Sequence, residues 1–170
     1  MSCARLRTEL LRTRDARETS LRAAVKRGTS VAFLSTAIPG PDKTPAGSAE
    51  LFHWALRALS ELPGPVDLLE RGCDALGHFA ILNLPWPARR IKLACIDLEE
   101  RCPQTRLLDL DVYAPSGKQL GRGELGLPAR PCLLCARPAT QCMRLRRHDL
   151  PAVINHAHRL LQARFHPPAG

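Results

Sequence analysis

Arg106-Leu-Leu-Asp-Leu-Asp-Val-Tyr113 alternates apolar and polar residues, as a β-strand with one buried face does. The leucines and the valine would pack on a core, whereas Asp109 and Asp111 would share the opposite face, about 7 Å apart. Two carboxylates at that separation can together hold a hard divalent cation such as Mg²⁺. Asp-x-Asp is also a common sequence, so a solvated strand face without a ligand is the alternative.

The segments on both sides of this strand predict an α+β fold. Hydrophobic spacing predicts helices over 2–27, 49–62, 86–100 and 146–164, and further strands over 31–38, 66–71, 76–84 and 118–124. This order predicts a small mixed β-sheet with helices packed mainly on one face. A length of 170 residues is typical of one domain, so we expect a single domain over 1–170 that contains a Cys/His-rich segment at 130–148.

The formal net charge of +9 favours an anionic partner. Nucleic acid, a membrane surface, a phosphorylated small molecule and an acidic protein all fit that charge. No apolar run approaches the roughly 20 residues that a membrane-spanning helix needs, and residues 1–18 lack the apolar centre of a signal peptide. We therefore expect a cytoplasmic protein without a membrane partner, and its seven cysteines should be reduced.

Four possible metal ligands lie close together near the C-terminal end. Cys132, Cys135, Cys142 and His148 have the spacing C-x2-C-x6-C-x5-H, and four such ligands suit one tetrahedral Zn²⁺. The spacing between the ligand pairs is shorter than in common zinc fingers. The alternatives are that the cysteines are small core residues and that His148 caps a helix. We predict a structural zinc site.

One further segment carries residues that can bind phosphate. Pro39 and Pro41 stiffen a turn around Gly40 whose exposed amide groups, with Lys43, could hold a phosphate, although a simple connector is equally possible.

Two helices carry notable charged residues. The first predicted helix contains Arg14-Asp-Ala-Arg17, which on its own is typical of a solvated helix face with local ion pairs. Acidic residues end the helix predicted over 86–100, where the helix dipole disfavours them, so one of them is expected to face a cation.

These features form four ordered motifs that cover residues from about 10 to 165. The motifs are Arg14-Asp-x-Arg17; Pro39-Gly-Pro-x-Lys43; Lys92 to Glu99 followed by Cys102-Pro-Gln-Thr-Arg-Leu-Leu-Asp-Leu-Asp-Val112; and Arg130-x-Cys-Leu-x-Cys135 followed by Cys142-x-Arg144 and His148. Together they resemble the motifs of the apo-citrate lyase phosphoribosyl-dephospho-CoA transferase family, also called holo-citrate lyase synthase. Cys102 and Thr105 stand where the family pattern has histidine and glycine.

The resemblance implies a nucleotidyltransferase-like reaction. Such an enzyme takes triphosphoribosyl-dephospho-CoA and transfers its phosphoribosyl-dephospho-CoA group to a serine of the citrate lyase acyl carrier protein, the gamma subunit of the lyase. The serine hydroxyl attacks the α-phosphate and pyrophosphate leaves. The net charge of +9 suits both a polyanionic substrate and an acidic carrier protein.

Roles for individual residues follow from this chemistry, which requires neutralised phosphate charge. Asp109 and Asp111 are the predicted Mg²⁺ ligands, Glu99 is the candidate third carboxylate, and Arg106 joins the aspartates as a catalytic residue. The predicted substrate-binding residues are Arg14, Arg17, Gly40, Lys43 and Lys92.

Two other classes of function stay open. If Cys102 and Thr105 disable the site, the chain would be a non-catalytic, zinc-containing adaptor for the carrier protein. A basic nucleic-acid-binding module would also explain the charge and the cysteines. The basic residues are not interleaved with aromatic ones, however, and no known module pattern is present, so we expect no nucleic-acid partner.

Overall fold

Five α-helices and five strands are found in residues 3–165, which this computed structural model describes, with side chains from residue 7 onward. The helices are α1 (Cys3–Val25), α2 (Ser48–Ser60), α3 (Ala88–Glu100), α4 (Ala139–Arg144) and α5 (Leu150–Gln162). The strands are β1 (Ser30–Thr36), β2 (Asp67–Asp74), β3 (Gly77–Leu84), β4 (Leu108–Tyr113) and β5 (Gln119–Leu120). Short 3₁₀ turns span Gln104–Leu107 and Gly123–Leu125. Among these helices, none is long and apolar enough to cross a bilayer.

The five strands form one sheet in the order β2-β3-β1-β4-β5, and every neighbouring pair is antiparallel. Helix α2 connects β1 to β2 past the position of β3, and α3 connects β3 to β4 past β1. This is a split β-α-β-β-α-β arrangement. The predicted α+β class is confirmed, but the prediction of a mixed sheet is wrong. Each helical connection skips one strand, so parallel strands never become neighbours.

Helices pack on both faces of the sheet, and most of them lie on one face. Apolar side chains of α2, α3 and α5 form the main core against alternate residues of β1, β3 and β4. Leu108, Leu110 and Val112 are fully buried in this core, as the alternation of β4 predicts. Helix α1 covers part of the opposite face through a smaller cluster that includes Leu21, Val31 and Ile81. Asp109 and Asp111 therefore project on the α1 side of the sheet.

Element boundaries near the C-terminal end differ from the prediction. The strand predicted over 118–124 is only two residues long, because Gly121 and Gly123 follow it and the Glu124 carboxylate accepts a hydrogen bond from the Gly121 backbone at 3.0 Å. The helix predicted over 146–164 begins later, at Leu150, and the six-residue helix α4 precedes it.

Two glycines allow α5 to approach the backbone closely. Gly40 has φ 92°, and a Cβ there would lie 2.8 Å from Ile154 Cδ1. Gly47 has φ 88°, and a Cβ there would lie 2.6 Å from the carbonyl oxygen of Leu161. A side chain at Gly47 would therefore displace backbone, whereas one at Gly40 would displace the tip of a side chain.

We expect Gly47→Ala to destabilise the fold more than Gly28→Ala. Gly28 also has positive φ, 79°, but nothing lies within 4 Å of its would-be Cβ, so alanine there carries only the left-handed backbone penalty of about 1–2 kcal/mol. At Gly47 the displacement of Leu161 adds to that penalty. Urea unfolding of both variants measures the difference in the free energy of unfolding, and equal losses would contradict the close packing of α5.

Candidate functional site

The two aspartates of β4 lie side by side on a rigid strand. Asp109 is opposite Ser35 of β1 and Asp111 is opposite Phe33. The Asp109 side chain is 51% exposed, whereas Asp111 is half-buried and accepts a hydrogen bond from Gln119 Nε2 at 2.7 Å. Burial, followed by the neighbouring charge of Asp109, raises the pKa of Asp111. A cation between the two carboxylates would relieve this repulsion.

The free edge of β4 is closed by two charged side chains of α3. Leu110 lies opposite Leu34 of β1 on one edge of β4, but on the other edge β5 pairs only with Val112 and Tyr113 and leaves the backbone of Leu110 without a partner strand. Lys92 donates from Nζ to the Leu110 carbonyl, and the Leu110 amide donates to Glu99 Oε1 at 3.0 Å. Both side chains are buried. Lys92 and Glu99 thus take the place of the missing strand.

The two residues of α3 with predicted functional roles, Lys92 and Glu99, are thus already engaged in structural contacts. The second oxygen of Glu99, Oε2, accepts a hydrogen bond from Arg122 at 3.2 Å, so each of its oxygens has a partner. Compared with the effect of burial, Lys92 and Glu99 have smaller effects on the pKa of Asp111, Lys92 lowering it and Glu99 raising it. Their side chains therefore lie near the aspartates, while metal binding by Glu99 and substrate binding by Lys92 stay predictions.

A group of arginines borders the start of β4. Arg130 donates from Nη2 to the carbonyls of Arg106 and Leu108, at 2.7 and 2.8 Å, and its Nη1 lies 4.0 Å from Asp109 Oδ1. Arg106 donates from Nη2 to the Pro131 carbonyl, but its Nε is buried without a partner among the described residues. Burial, followed by the charges of Arg130 and Arg122, lowers the pKa of Arg106. Arg106 therefore lies in a locally positive environment, although Arg122 and Arg130 are themselves close to carboxylates.

An open cleft of about 500 Å³ lies beside Arg106. It is enclosed by the end of α3, the 3₁₀ turn before β4, the cysteine-containing segment and α5. Its lining residues are Glu100, Arg101, Cys102, Pro103, Arg106, Leu133, His156 and Leu160. Cys102, one of the two departures from the family motif, thus faces the cleft. Thr105 is fully buried, and its hydroxyl accepts from the Cys102 amide at 3.1 Å, so the second departure stabilises the turn.

Two of the predicted phosphate-binding residues of the N-terminal half, Arg17 and Lys43, lie at the turn between β2 and β3. Arg17 donates to both oxygens of Asp74, at 2.9 and 2.7 Å, and to the Gly77 carbonyl at 2.7 Å. Lys43 donates from Nζ to the Ile38 carbonyl at 2.7 Å, and burial lowers its pKa. Its backbone also lies against Gly77.

Sheet register places the Arg17 guanidinium on the same face as the aspartates. Phe79 pairs with Ser35, which pairs with Asp109, and the Arg17 guanidinium lies over the Phe79 ring at 4.4 Å. The backbone of Phe79 is therefore about two strand spacings, roughly 10 Å, from that of Asp109. Arg14 is exposed on α1, whereas Gly40 packs against α5 instead. Substrate binding by these residues stays a prediction.

The cysteine-containing segment forms a compact cluster of ligand atoms. The three thiol sulfurs and one imidazole nitrogen of Cys132, Cys135, Cys142 and His148 all lie within 4.8 Å of one another. Cys135 Sγ is 3.6 Å from Cys142 Sγ and 3.4 Å from His148 Nε2. A tetrahedral zinc site has ligand–ligand distances of about 3.5–3.8 Å. The cluster can therefore bind a metal such as zinc.

Comparison with known proteins identifies the family. A family model described as apo-citrate lyase phosphoribosyl-dephospho-CoA transferase matches residues 6–164. Proteins of that name from Escherichia coli O7:K1 (strain IAI39), O1:K1 and O45:K1 (strain S88) are each 36% identical over 159 residues. Each alignment covers 90% of this chain and 86% of the relative. The chain belongs to this family. The resemblance inferred from the four motifs is thereby confirmed.

Sequence reasoning missed part of the surroundings of this family member's site. His156 and Leu160 line the cleft from α5, far from the motifs, and nothing in their spacing distinguishes them from an ordinary helix. Arg122 was also missed, although it bonds Glu99 and Glu100 and contributes to the arginine cluster. The acidic residues at the end of α3, which the sequence predicts to face a cation, are the feature that points to this contact.

Replacing Glu99 with glutamine should destabilise the protein. The substitution removes the buried ion pair with Arg122 and weakens the charged hydrogen bond to the Leu110 amide, so we expect a loss of about 1–3 kcal/mol in urea unfolding. Glu100→Gln is the control, since this carboxylate is exposed and bonds the same arginine; it should cost about 1 kcal/mol or less. Unchanged stability in Glu99→Gln, together with a higher Mg²⁺ requirement, would favour the metal role.

Proposed function

We propose that this chain transfers the phosphoribosyl-dephospho-CoA group of triphosphoribosyl-dephospho-CoA to a serine of the citrate lyase acyl carrier protein, the gamma subunit, in the cytoplasm. The serine oxygen forms a bond to the α-phosphorus, and the bond to the departing pyrophosphate breaks. The observation that carries the proposal is the rigid Asp109–Asp111 pair beside an arginine cluster, in a chain that matches the transferase family model over residues 6–164.

Mg²⁺ is the cofactor that the carboxylate pair fits. The donors are oxygen atoms on one strand face, which hard cations prefer, and the charge of Asp109 adds to the effect of burial in raising the pKa of Asp111. We propose that Asp109 and Asp111 hold this ion. Mg²⁺ bound there would supply charge neutralisation to the phosphate oxygens during the transfer. The exposed position of Asp109 leaves room for substrate oxygens on the same ion.

The arginines and the cleft support binding of the polyanionic substrate. The buried Nε of Arg106 needs an acceptor, and a phosphate oxygen would satisfy it with a charge-assisted hydrogen bond. Arg122 and Arg130 add positive charge near this atom. Leu133 and Leu160 give the cleft apolar walls that suit the uncharged parts of the substrate. We therefore propose that the substrate occupies the cleft with its phosphates toward Arg106.

The departures from the family motif leave one alternative function, that of a non-catalytic adaptor. Cys102 lines the cleft in place of the motif's histidine, which would favour a non-catalytic adaptor if proton transfer needs that imidazole. An adaptor would bind the carrier protein but leave its mass unchanged. Mass spectrometry of the carrier after incubation with this protein, the precursor and Mg²⁺ separates the two functions.

Asp109→Asn and Asp111→Asn should each reduce transfer at least about a hundredfold in that assay, because each removes an anionic ligand while keeping the side chain's shape. The double variant should be little worse than either single one, since the two residues act as a unit. Asp67→Asn, an exposed carboxylate on β2, is the control and should transfer at the wild-type rate. Retention of most activity by both single variants would refute the metal site on β4.

We also propose that the Cys/His cluster holds one structural Zn²⁺, and we expect close to one zinc per purified chain. Cys142→Ser should lose the metal and lower the melting temperature, because the ligand is buried and ties α4 to the preceding loop. Cys73→Ser on β2 is the control, since that thiol is exposed and outside the cluster. A zinc content under about 0.2 per chain would exclude a structural site.

A further inference from the structure

The chain between two of the clustered ligands presents an unusual surface. Met143-Arg-Leu-Arg-Arg147 connects Cys142 to His148, and all five residues are exposed. We call residues 143–147, which begin in the last turn of α4, together with Leu150, the first residue of α5, the basic–apolar loop. Met143 is 70% exposed, Leu145 51% and Leu150 59%. The other exposed large apolar side chains of the described residues are single residues on α1, β2 and α3. Within the described residues, such side chains therefore cluster in this loop alone.

Positive charge accompanies these apolar side chains. Arg144, Arg146 and Arg147 are exposed, and none of them forms a salt bridge within residues 7–165. Apolar groups next to unpaired arginines are typical of surfaces that bind a partner, because the arginines steer an acidic protein and the apolar groups are then buried.

The loop is held in one conformation by its ends. Arg147 donates its backbone amide to the Cys142 carbonyl at 3.0 Å, and Arg146 donates to the Met143 carbonyl at 3.2 Å. Arg146 has φ 46°, the one positive value outside glycine in the described residues. Because the loop is bounded by two cluster ligands, Cys142 and His148, it is preorganised, which lowers the entropy lost when a partner binds.

The loop belongs to the same segment that borders the cleft. Leu133 of this segment lines the cleft, and the Pro131 carbonyl accepts a hydrogen bond from Arg106. A protein bound to the loop would therefore be held by the segment that also forms one wall of the proposed substrate site.

We propose that the basic–apolar loop binds an acidic, partly apolar surface of the acceptor protein, a proposal that rests on the proposed function. A second copy of this chain fits less well, since a twofold contact would place three arginines against three arginines. Single-stranded nucleic acid fits less well too, because the loop has no aromatic side chain on which a base can stack.

The test measures acceptor binding apart from chemistry. Fluorescence anisotropy gives the Kd of labelled apo acyl carrier protein for the wild type, for Met143→Ser/Leu145→Ser and for Arg144→Glu/Arg147→Glu. Each double variant should raise Kd at least tenfold, and added salt should weaken wild-type binding. The matched controls are Leu68→Ser and Arg71→Glu, exposed residues of β2, which should bind like the wild type. Zinc content and circular dichroism verify that the variants are folded.

Transfer kinetics separate this proposal from the proposed function. In the mass-spectrometric assay the loop variants should raise KM for the carrier about tenfold, with kcat and the precursor KM within twofold of the wild type. Absence of transfer by the wild type would refute the proposed function, while the Kd values still decide the role of the loop. Wild-type-like Kd values in both double variants would overturn the loop proposal. So would loop-dependent binding to vesicles of anionic lipid with no change in carrier Kd.

Discussion

The backbone of Leu110 is hydrogen-bonded on the free edge of β4 by two side chains, Lys92 and Glu99, rather than by a strand. An open edge here would leave a buried amide and a buried carbonyl unpaired, each at a cost of about 1–3 kcal/mol. Asp109 and Asp111 are the residues on either side of Leu110, so the same contacts fix the position of both carboxylates. The packing of α3 on the sheet thus determines the geometry of the candidate metal site.

Charges of both signs are held close together around this strand. Arg122 joins Glu99 and Glu100, at 3.2 and 2.6 Å, and contributes with Arg130 to the positive field at Arg106. The buried members of such networks cannot rearrange easily, so their field is fixed before a ligand arrives. A fixed field is what transition-state stabilisation of phosphoryl transfer requires, because little reorganisation is then needed during the reaction.

The sequence predicted those features that depend only on the spacing of residues close together in the chain. The alternation in β4 and its burial follow directly from the side-chain period of a strand, and Cys132 and His148 meet as their spacing predicts. The antiparallel order of the sheet could not be read in this way, because it depends on which strand each helix skips. Helix α4 is too short for a period to be visible, and His156 reaches the cleft only through the packing of α5. The contact of Glu99 with the Leu110 backbone could not be predicted from the sequence either, because it depends on β5 ending after two residues.

The position of β1 in the sheet has a consequence for how the chain folds as it is synthesised. This strand is made first, yet its two neighbours are β3, which ends at Leu84, and β4, which ends at Tyr113. One edge of this apolar central strand therefore stays unpaired until β3 has emerged from the ribosome, and the other edge until β4 has emerged. Such edges recruit other strands, so molecules of this protein are most prone to aggregate before β4 has been translated.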